Sequence, residues 1–398
     1  MVLLCLSGSV MFWFPFAAET YYVPMQRAFG FTNTQIGILS SVFGFVSLVG
    51  YFPGGWLADR FPPRILMTIG LLIASAAGFV FSTIPSFEVC VVLYGVWGFA
   101  AALVFWSAMI KATRNWGGKD EQGRAFGFLE GGRSITDLLA GTVFLAIFAF
   151  RGGDYAALAG NLRLEAFVPL LLAVVVWLLM KDSKSHEHNA QSQSAVSIKD
   201  LRAVIRLPMV WLLATIIMTA YCGFWGSYYL TPYASDIYAL GDVGGGAISV
   251  AKYWLAPFAA IAAGFIADRI GTAKAVVGAF IVMTASYLLF GLVPGGPMLV
   301  PLLLINGAVV ALAVFALRGI YFALLEQGGI PVAVTGTAAG LVSVVGYTPD
   351  IFVPPIAGMI LDAHPGAAGY QIFYLLISGI CFVGLMAAYV TYRRIRSS

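Results

Sequence analysis

The chain has 398 residues, 60% hydrophobic and 10% charged, with a net charge of +4 and a mean hydropathy of +0.91, whereas soluble domains carry about 25% charged residues. Such a composition describes an integral membrane protein and leaves no stretch for a separate soluble catalytic domain. The cations stand singly between apolar runs, which argues against a nucleic-acid surface, and Cys5, Cys90, Cys222 and Cys381 lack the spacing of a metal or redox site.

In chain order, apolar runs fall at 2–24, 34–57, 65–83, 88–110, 123–149, 166–180, 208–231, 246–267, 273–292, 298–322, 333–361 and 369–391. Their length predicts twelve transmembrane helices. The first run lacks a basic leader and continues through Trp13 and Pro15, so it reads as a span and not as a signal peptide. Prolines within later runs are compatible with membrane helices when neighbouring helices satisfy the freed backbone groups. The polar, Ser/Gln-rich stretch 181–206 separates two halves, 1–180 and 207–398; its His186 and His188 read as a solvated tail better than as a metal site. With that linker cytoplasmic, Lys and Arg concentrate on its side of the membrane, at Arg60, Arg64, Lys111, Arg114, Lys119, Arg124, Lys181, Lys184, Lys199, Arg202, Arg206, Arg269, Lys274, Arg393, Arg394 and Arg396, against Arg27, Arg151 and Arg163 opposite. The positive-inside rule then places both termini in the cytoplasm.

The two halves repeat one another. GWLADR at 55–60 returns as GFIADR at 264–269, ETYYVP at 19–24 as GSYYLT at 226–231, and GRAFGFLEGGRSITD at 123–137 as GTAAGLVSVVGYTPD at 336–350. Three matches in order at nearly one offset indicate a six-plus-six duplication, an arrangement that places a substrate near the midplane between repeats.

The repeated loop resembles the G-x-L-A-D-R-x-G-R-K motif of the major facilitator superfamily, through Gly55, Leu57, Ala58, Asp59, Arg60 and Arg64, echoed by Gly264, Ala267, Asp268, Arg269, Gly271 and Lys274. Pro62 stands where the family usually has Gly, which leaves the form of that turn open. The resemblance implies an all-α membrane protein with two pseudo-symmetric six-helix halves, a secondary carrier working by alternating access, with Asp59, Arg60, Asp268 and Arg269 in gating. Plain positive-inside charges are the other reading of those four. Tyr94 occupies the position where the family's drug/proton antiporters carry an Arg, and the fifth span has no Gly-Pro pair. Multidrug export loses weight accordingly, and 107–133 and 321–350 look more like bacterial uptake carriers of organic anions and sugar derivatives.

Away from their ends, the predicted spans hold seven charged residues: Glu19, Glu130, Arg133, Asp137, Lys252, Arg318 and Asp350. Intramembrane charge costs roughly 2.5–3.5 kcal/mol at mid-bilayer, so it persists where water or a partner meets it. The resemblance implies that the spans holding these residues line the central cavity, and the third, sixth, ninth and twelfth predicted spans hold no charge beyond Lys274 at the end of the ninth. Residues 130, 133 and 137 share one helix stripe, with Arg133 about 15 Å deep at ~1.5 Å per residue, near the midplane. They form either a self-neutralising network or an anion site centred on Arg133, whose guanidinium suits carboxylate, sulfonate or phosphate. Lys252 reads as an anion ligand or as a snorkelling interfacial residue, Arg318 as a substrate clamp or an inner-end anchor. Tyr22, Tyr228 and Trp225 are candidates for stacking on a solute or for an aromatic belt. Low dielectric favours a neutral carboxyl and a nearby Arg favours the carboxylate, so solute arrival can change proton occupancy. Glu19 and Asp137 are the candidates for proton coupling, with Glu130 as gate partner and Asp350 as the repeat counterpart of Asp137.

The expectation is a secondary transporter of the bacterial inner membrane for a small polar, anionic organic solute, a carboxylate, sulfonate or sugar acid, driven by proton symport. Anion exchange, or export of a neutral sugar or drug-like compound, is the alternative. The expected partners are the solute, a proton or counter-anion and the lipid bilayer, with a monomeric chain and no cofactor or metal. No G-x-S-x-G or phosphate-cradling loop supports an enzyme.

Overall fold

The computed structural model describes residues 1–117, 121–181, 205–324 and 335–397; side chains are not described at Phe52, 122–123, 335–339 and 397. Most of the 181–206 linker, with His186 and His188, and Lys119, Lys184, Lys199 and Arg202 lie outside those residues. The described chain is helical, with no strand among the described residues. Among the described residues, eleven helices are long and apolar enough to cross a membrane. The first predicted span misses that criterion because it is interrupted: Val2–Val10 and Ala18–Phe29 are separate helices.

The interruption has a local cause. Pro15 has no backbone N–H to donate, and from Ser9 to Thr20 the chain tightens into i→i−3 bonds, Phe12 N to Ser9 O at 3.0 Å, Ala17 N to Phe14 O at 3.1 Å and Glu19 N to Phe16 O at 2.9 Å. Tyr21 leaves helical geometry as well, at φ −112° and ψ 34°. Prolines at 53, 169 and 257 lie inside helices that continue through them.

The second span, Asn33–Arg60, begins at a capping box in which Gln35 N donates to Thr32 Oγ1 at 3.2 Å and Thr32 N to Gln35 Oε1 at 3.0 Å. The third, Pro63–Phe81, starts with Pro in its first turn. The fourth runs Phe87–Gly98, then a π-helical segment Phe99–Trp106, then Ser107–Gly117. The fifth is Gln122–Phe150 and the sixth Tyr155–Leu179. The sixth therefore starts earlier than its apolar run, corrects the expectation of an uncharged helix, and takes in Arg163 and Glu165.

The seventh span divides at Tyr229 into Pro208–Tyr228 and Leu230–Asp236. The eighth is Gly241–Ile270, the ninth Thr272–Leu292 and the tenth Val300–Ile320. The eleventh is Thr335–Gly346 and Pro349–Ala363, broken at 347–348, and the twelfth is Ala367–Ser397.

By packing, the chain falls into two compact units. One comprises Met1–Ser185, Leu240–Tyr253 and Asp350–Met359; the other comprises His186–Ala239, Trp254–Pro349 and Ile360–Ser398. The core of the first is aromatic: Phe14 stacks on Trp97 with centroids 5.1 Å apart, and Phe81 and Tyr94 meet Trp97 edge-on at 5.4 and 5.2 Å. Tyr94 is thus a buried packing residue. The second unit has its own cluster, with Tyr374 packed on Tyr233, Tyr287 and Phe290.

Candidate functional site

In the first unit the interrupted first span meets the charged stripe of the fifth. Gly8 permits the approach, since a Cβ there would stand 3.0 Å from Arg133 Cδ. Cys5 packs against Gly132, and its thiol donates to Phe128 O at 3.4 Å. The stripe divides chemically. Arg133 Nη1 pairs with Glu130 Oε1 at 2.9 Å, the arginine side chain 16% exposed and the glutamate 63%. Asp137 instead accepts hydrogen bonds from Ser9 Oγ and, at 3.1 Å, from Trp13 Nε1. One self-neutralising triad is therefore not formed: the pair 130–133 and Asp137 have different partners.

The guanidinium of Arg133 sits among rings, with its carbon 5.2 Å from the Trp106 centroid and 5.6 Å from that of Phe12. Trp106 ends the π-helical segment of the fourth span, and such segments often mark functional sites in helices. Arg133 Nε is buried without a hydrogen-bond partner. A planar cation between aromatic faces, with one N–H unanswered and one terminal nitrogen held by a carboxylate, has the donor set that a carboxylate, sulfonate or phosphate uses bidentately.

Beyond the break in the first span, Glu19 is paired with Lys252 and accepts from Tyr253 Oη at 2.7 Å. Their side chains are 5% and 4% exposed. Lys252 does not snorkel. It lies about three turns into a helix that starts at Gly241, not at 246, and a pair so placed is sheltered from water. Arg27 pairs with Asp242 near the beginning of that helix, at 3.0 Å.

A third group was not legible as a site. Tyr21 Oη donates to Glu165 Oε1 at 3.1 Å, while Asn161 Nδ2 lies 2.8 Å from Tyr21 Oη and 3.2 Å from Glu165 Oε1. All three residues are buried. The signal that finds them is the i, i+4 pair Asn161–Glu165 on a face otherwise built from Leu158, Leu162 and Ala166.

The remaining candidates are dispersed. Tyr22 Oη donates to Asn33 Oδ1 at 3.0 Å. Asp350 packs on Gly44, where a Cβ would lie 2.7 Å from its own, and Ser41 Oγ donates to Ile351 O at 2.6 Å. Asp59 and Arg60 are exposed at the end of the second span; Arg60 covers the Trp56 ring at 3.7 Å, and Lys111 caps the helix through Ala58 O at 2.6 Å. The turn beyond them uses extended Phe61 and Pro62, ψ 149° and 136°, while the matching turn after exposed Asp268 and Arg269 uses Gly271 at φ +91°. In the second unit Arg318 is exposed, with its guanidinium carbon 4.7 Å from the Phe224 centroid. Trp225 and Tyr228 are buried there with centroids 4.8 Å apart, which is not the exposure of an interfacial belt.

Comparison with known proteins places the chain in a family. The chain is 27% identical over 398 residues to the Escherichia coli (strain K12) inner membrane protein YihN, covering 99% of this chain and 94% of the relative. It is 26% identical over 381 residues to the Arabidopsis thaliana probable anion transporter 6, chloroplastic, covering 86% and 69% of the two chains. Among solved structures, a bacterial homolog to the human lysosomal transporter Spinster, in an inward-facing and unoccupied conformation, superposes with a TM-score of 0.80 at 13% identity, over 100% of this chain and 97% of that one, which shows the fold. The family model of the Major Facilitator Superfamily matches residues 2–349, and the chain is a membrane transporter, not an enzyme, belonging to that superfamily.

Proposed function

We propose that this transporter is a secondary carrier that moves a small organic anion, a carboxylate, sulfonate or sugar acid, across a bacterial inner membrane by alternating access and proton symport. Arg133 carries the reading: its guanidinium lies between the Trp106 and Phe12 rings with a buried N–H unanswered. The printed description of the plant relative as a probable anion transporter supports the anion class, and that of YihN supports the inner membrane. Both termini lie in the cytoplasm in this proposal, 1–180 and 207–398 act as the alternating halves, and Asp59, Arg60, Asp268 and Arg269 serve the gate. Glu19 and Lys252 hold the first span to the eighth. The bound solute replaces Glu130 at Arg133 and leaves that carboxylate to the exposed side.

The test is ligand-dependent thermal stabilisation of the purified chain over a panel of carboxylates, sulfonates, phosphates and neutral sugars, because a ligand selective for the native state raises apparent stability. An anion that shifts the wild type is expected to leave Arg133→Gln unshifted while that variant melts as a folded protein. Equal shifts in both would return Arg133 to helix packing, and a shift with neutral sugars alone would overturn the anion class. In proteoliposomes loaded with the same anion, uptake driven by a pH gradient supports symport; uptake needing internal anion and no gradient would replace symport with exchange.

A further inference from the structure

Two carboxyl groups of the first unit are buried to a similar depth and are compensated differently. Glu19 has Lys252. Glu165 is 4% exposed and has no ion pair among the described residues. Its contacts are neutral donors, Tyr21 Oη and Asn161 Nδ2. The groups around it are equally uncharged. From the first span comes Tyr21, the one titratable residue facing it among the described residues; from the third comes Ser75, which donates to Ala166 O at 2.8 Å; from the fifth comes Phe148, whose ring meets Tyr21 at 5.3 Å. Arg163 of the same helix is exposed, and Arg151 approaches Gly160, more than a turn away.

A buried carboxylate without a cation carries a penalty of several kcal/mol, which a bound proton removes. The hydrogen bonds of the cluster point the same way: both neutral donors, Tyr21 Oη and Asn161 Nδ2, reach one oxygen, Oε1, which suits the accepting carbonyl of a neutral acid whose proton sits on Oε2.

We propose that Glu165 is a proton-carrying site of this transporter, held as the neutral acid by Asn161 and Tyr21, and that Tyr21 ties release of the proton to movement of the 18–29 segment. Tyr21 sits at the non-helical residue of that segment, two positions from the Glu19–Lys252 pair. Loss of the proton leaves a carboxylate that must be hydrated or paired, and the interrupted first span is the neighbour with backbone freedom to admit water. This deepens the proton-driven part of the proposed function and assigns the proton to a residue outside Glu19 and Asp137.

The experiment is a pH-difference infrared spectrum of the purified full-length protein, recorded without solute. The wild type is expected to lose a protonated-carboxyl band as pH rises, and Glu165→Gln to lack that band. In Tyr21→Phe, a variant that keeps the ring, the same band is expected at higher wavenumber, since its carbonyl has lost a hydrogen-bond donor. Superimposable spectra of wild type and Glu165→Gln, or an unmoved band in Tyr21→Phe should the first variant not fold, would overturn the assignment. The spectrum reads no solute, so a failed anion reading leaves it unchanged, and a failed Glu165 assignment leaves the Arg133 binding result standing.

Discussion

Burial gives the ionisable residues of the first unit separate fates, and each fate is set by the atom that meets the charge. Glu19 and Lys252 are each other's solution, so removing one leaves the other stranded. Lys252→Met is expected to cost about 3–5 kcal/mol, the penalty of breaking a buried pair, read as a lower melting temperature in detergent. Glu19→Gln with Lys252→Met is expected to recover most of that loss; a double variant no more stable than the single would mean the lysine acts through packing. At this scale the sequence was informative about residue type and poor about partners. It placed Glu130, Arg133 and Asp137 on one stripe, but which of them pair depended on Ser9 and Trp13, residues more than a hundred positions away. Glu165 stands one residue before the apolar run that begins at 166, whereas the helix opens with capping Asp154 and carries its early polar residues into the bundle.

At the scale of the element, helix length was legible and helix continuity was not. Pro15 interrupts its span whereas Pro53, Pro169 and Pro257 do not, because the cost of a freed carbonyl depends on what neighbouring helices offer it. Glycine marks where helices touch. A Cβ at Gly98 would lie 2.9 Å from Phe43 O, a backbone atom of the second span that cannot rotate away. Gly98→Ala is expected to destabilise by about 1–3 kcal/mol through overpacking. Gly127→Ala, with open space around its Cβ, is the control and is expected to be neutral or stabilising by up to about 1 kcal/mol from helix propensity. Equal melting temperatures for both variants would show that the second and fourth spans are not in contact at Gly98.

For the whole molecule, twelve apolar runs and a repeated loop were enough to identify the architecture, since hydropathy and duplication are properties of the chain alone. The proposed orientation is testable by accessibility. All four native thiols are buried, so a membrane-impermeant maleimide has little background to report. Arg151→Cys, at the exposed end of the fifth helix, is expected to label in intact cells, and Arg269→Cys only after the membrane is opened. Labelling in the reverse order would invert the topology and move both termini to the outer side.

The two turns that carry the repeated motif differ in a way that bears on stiffness. Phe61–Pro62–Pro63 connects the second and third spans with two consecutive ring-locked residues, whereas Gly271 alone connects the eighth to the ninth. Proline surrenders little conformational entropy when the chain orders, and glycine surrenders the most. Duplication therefore left one motif with a pre-set corner and the other with a pliable one. A sequence repeat need not be a conformational repeat: at the same nominal position, one turn is held by proline rings and the other rests on a single glycine.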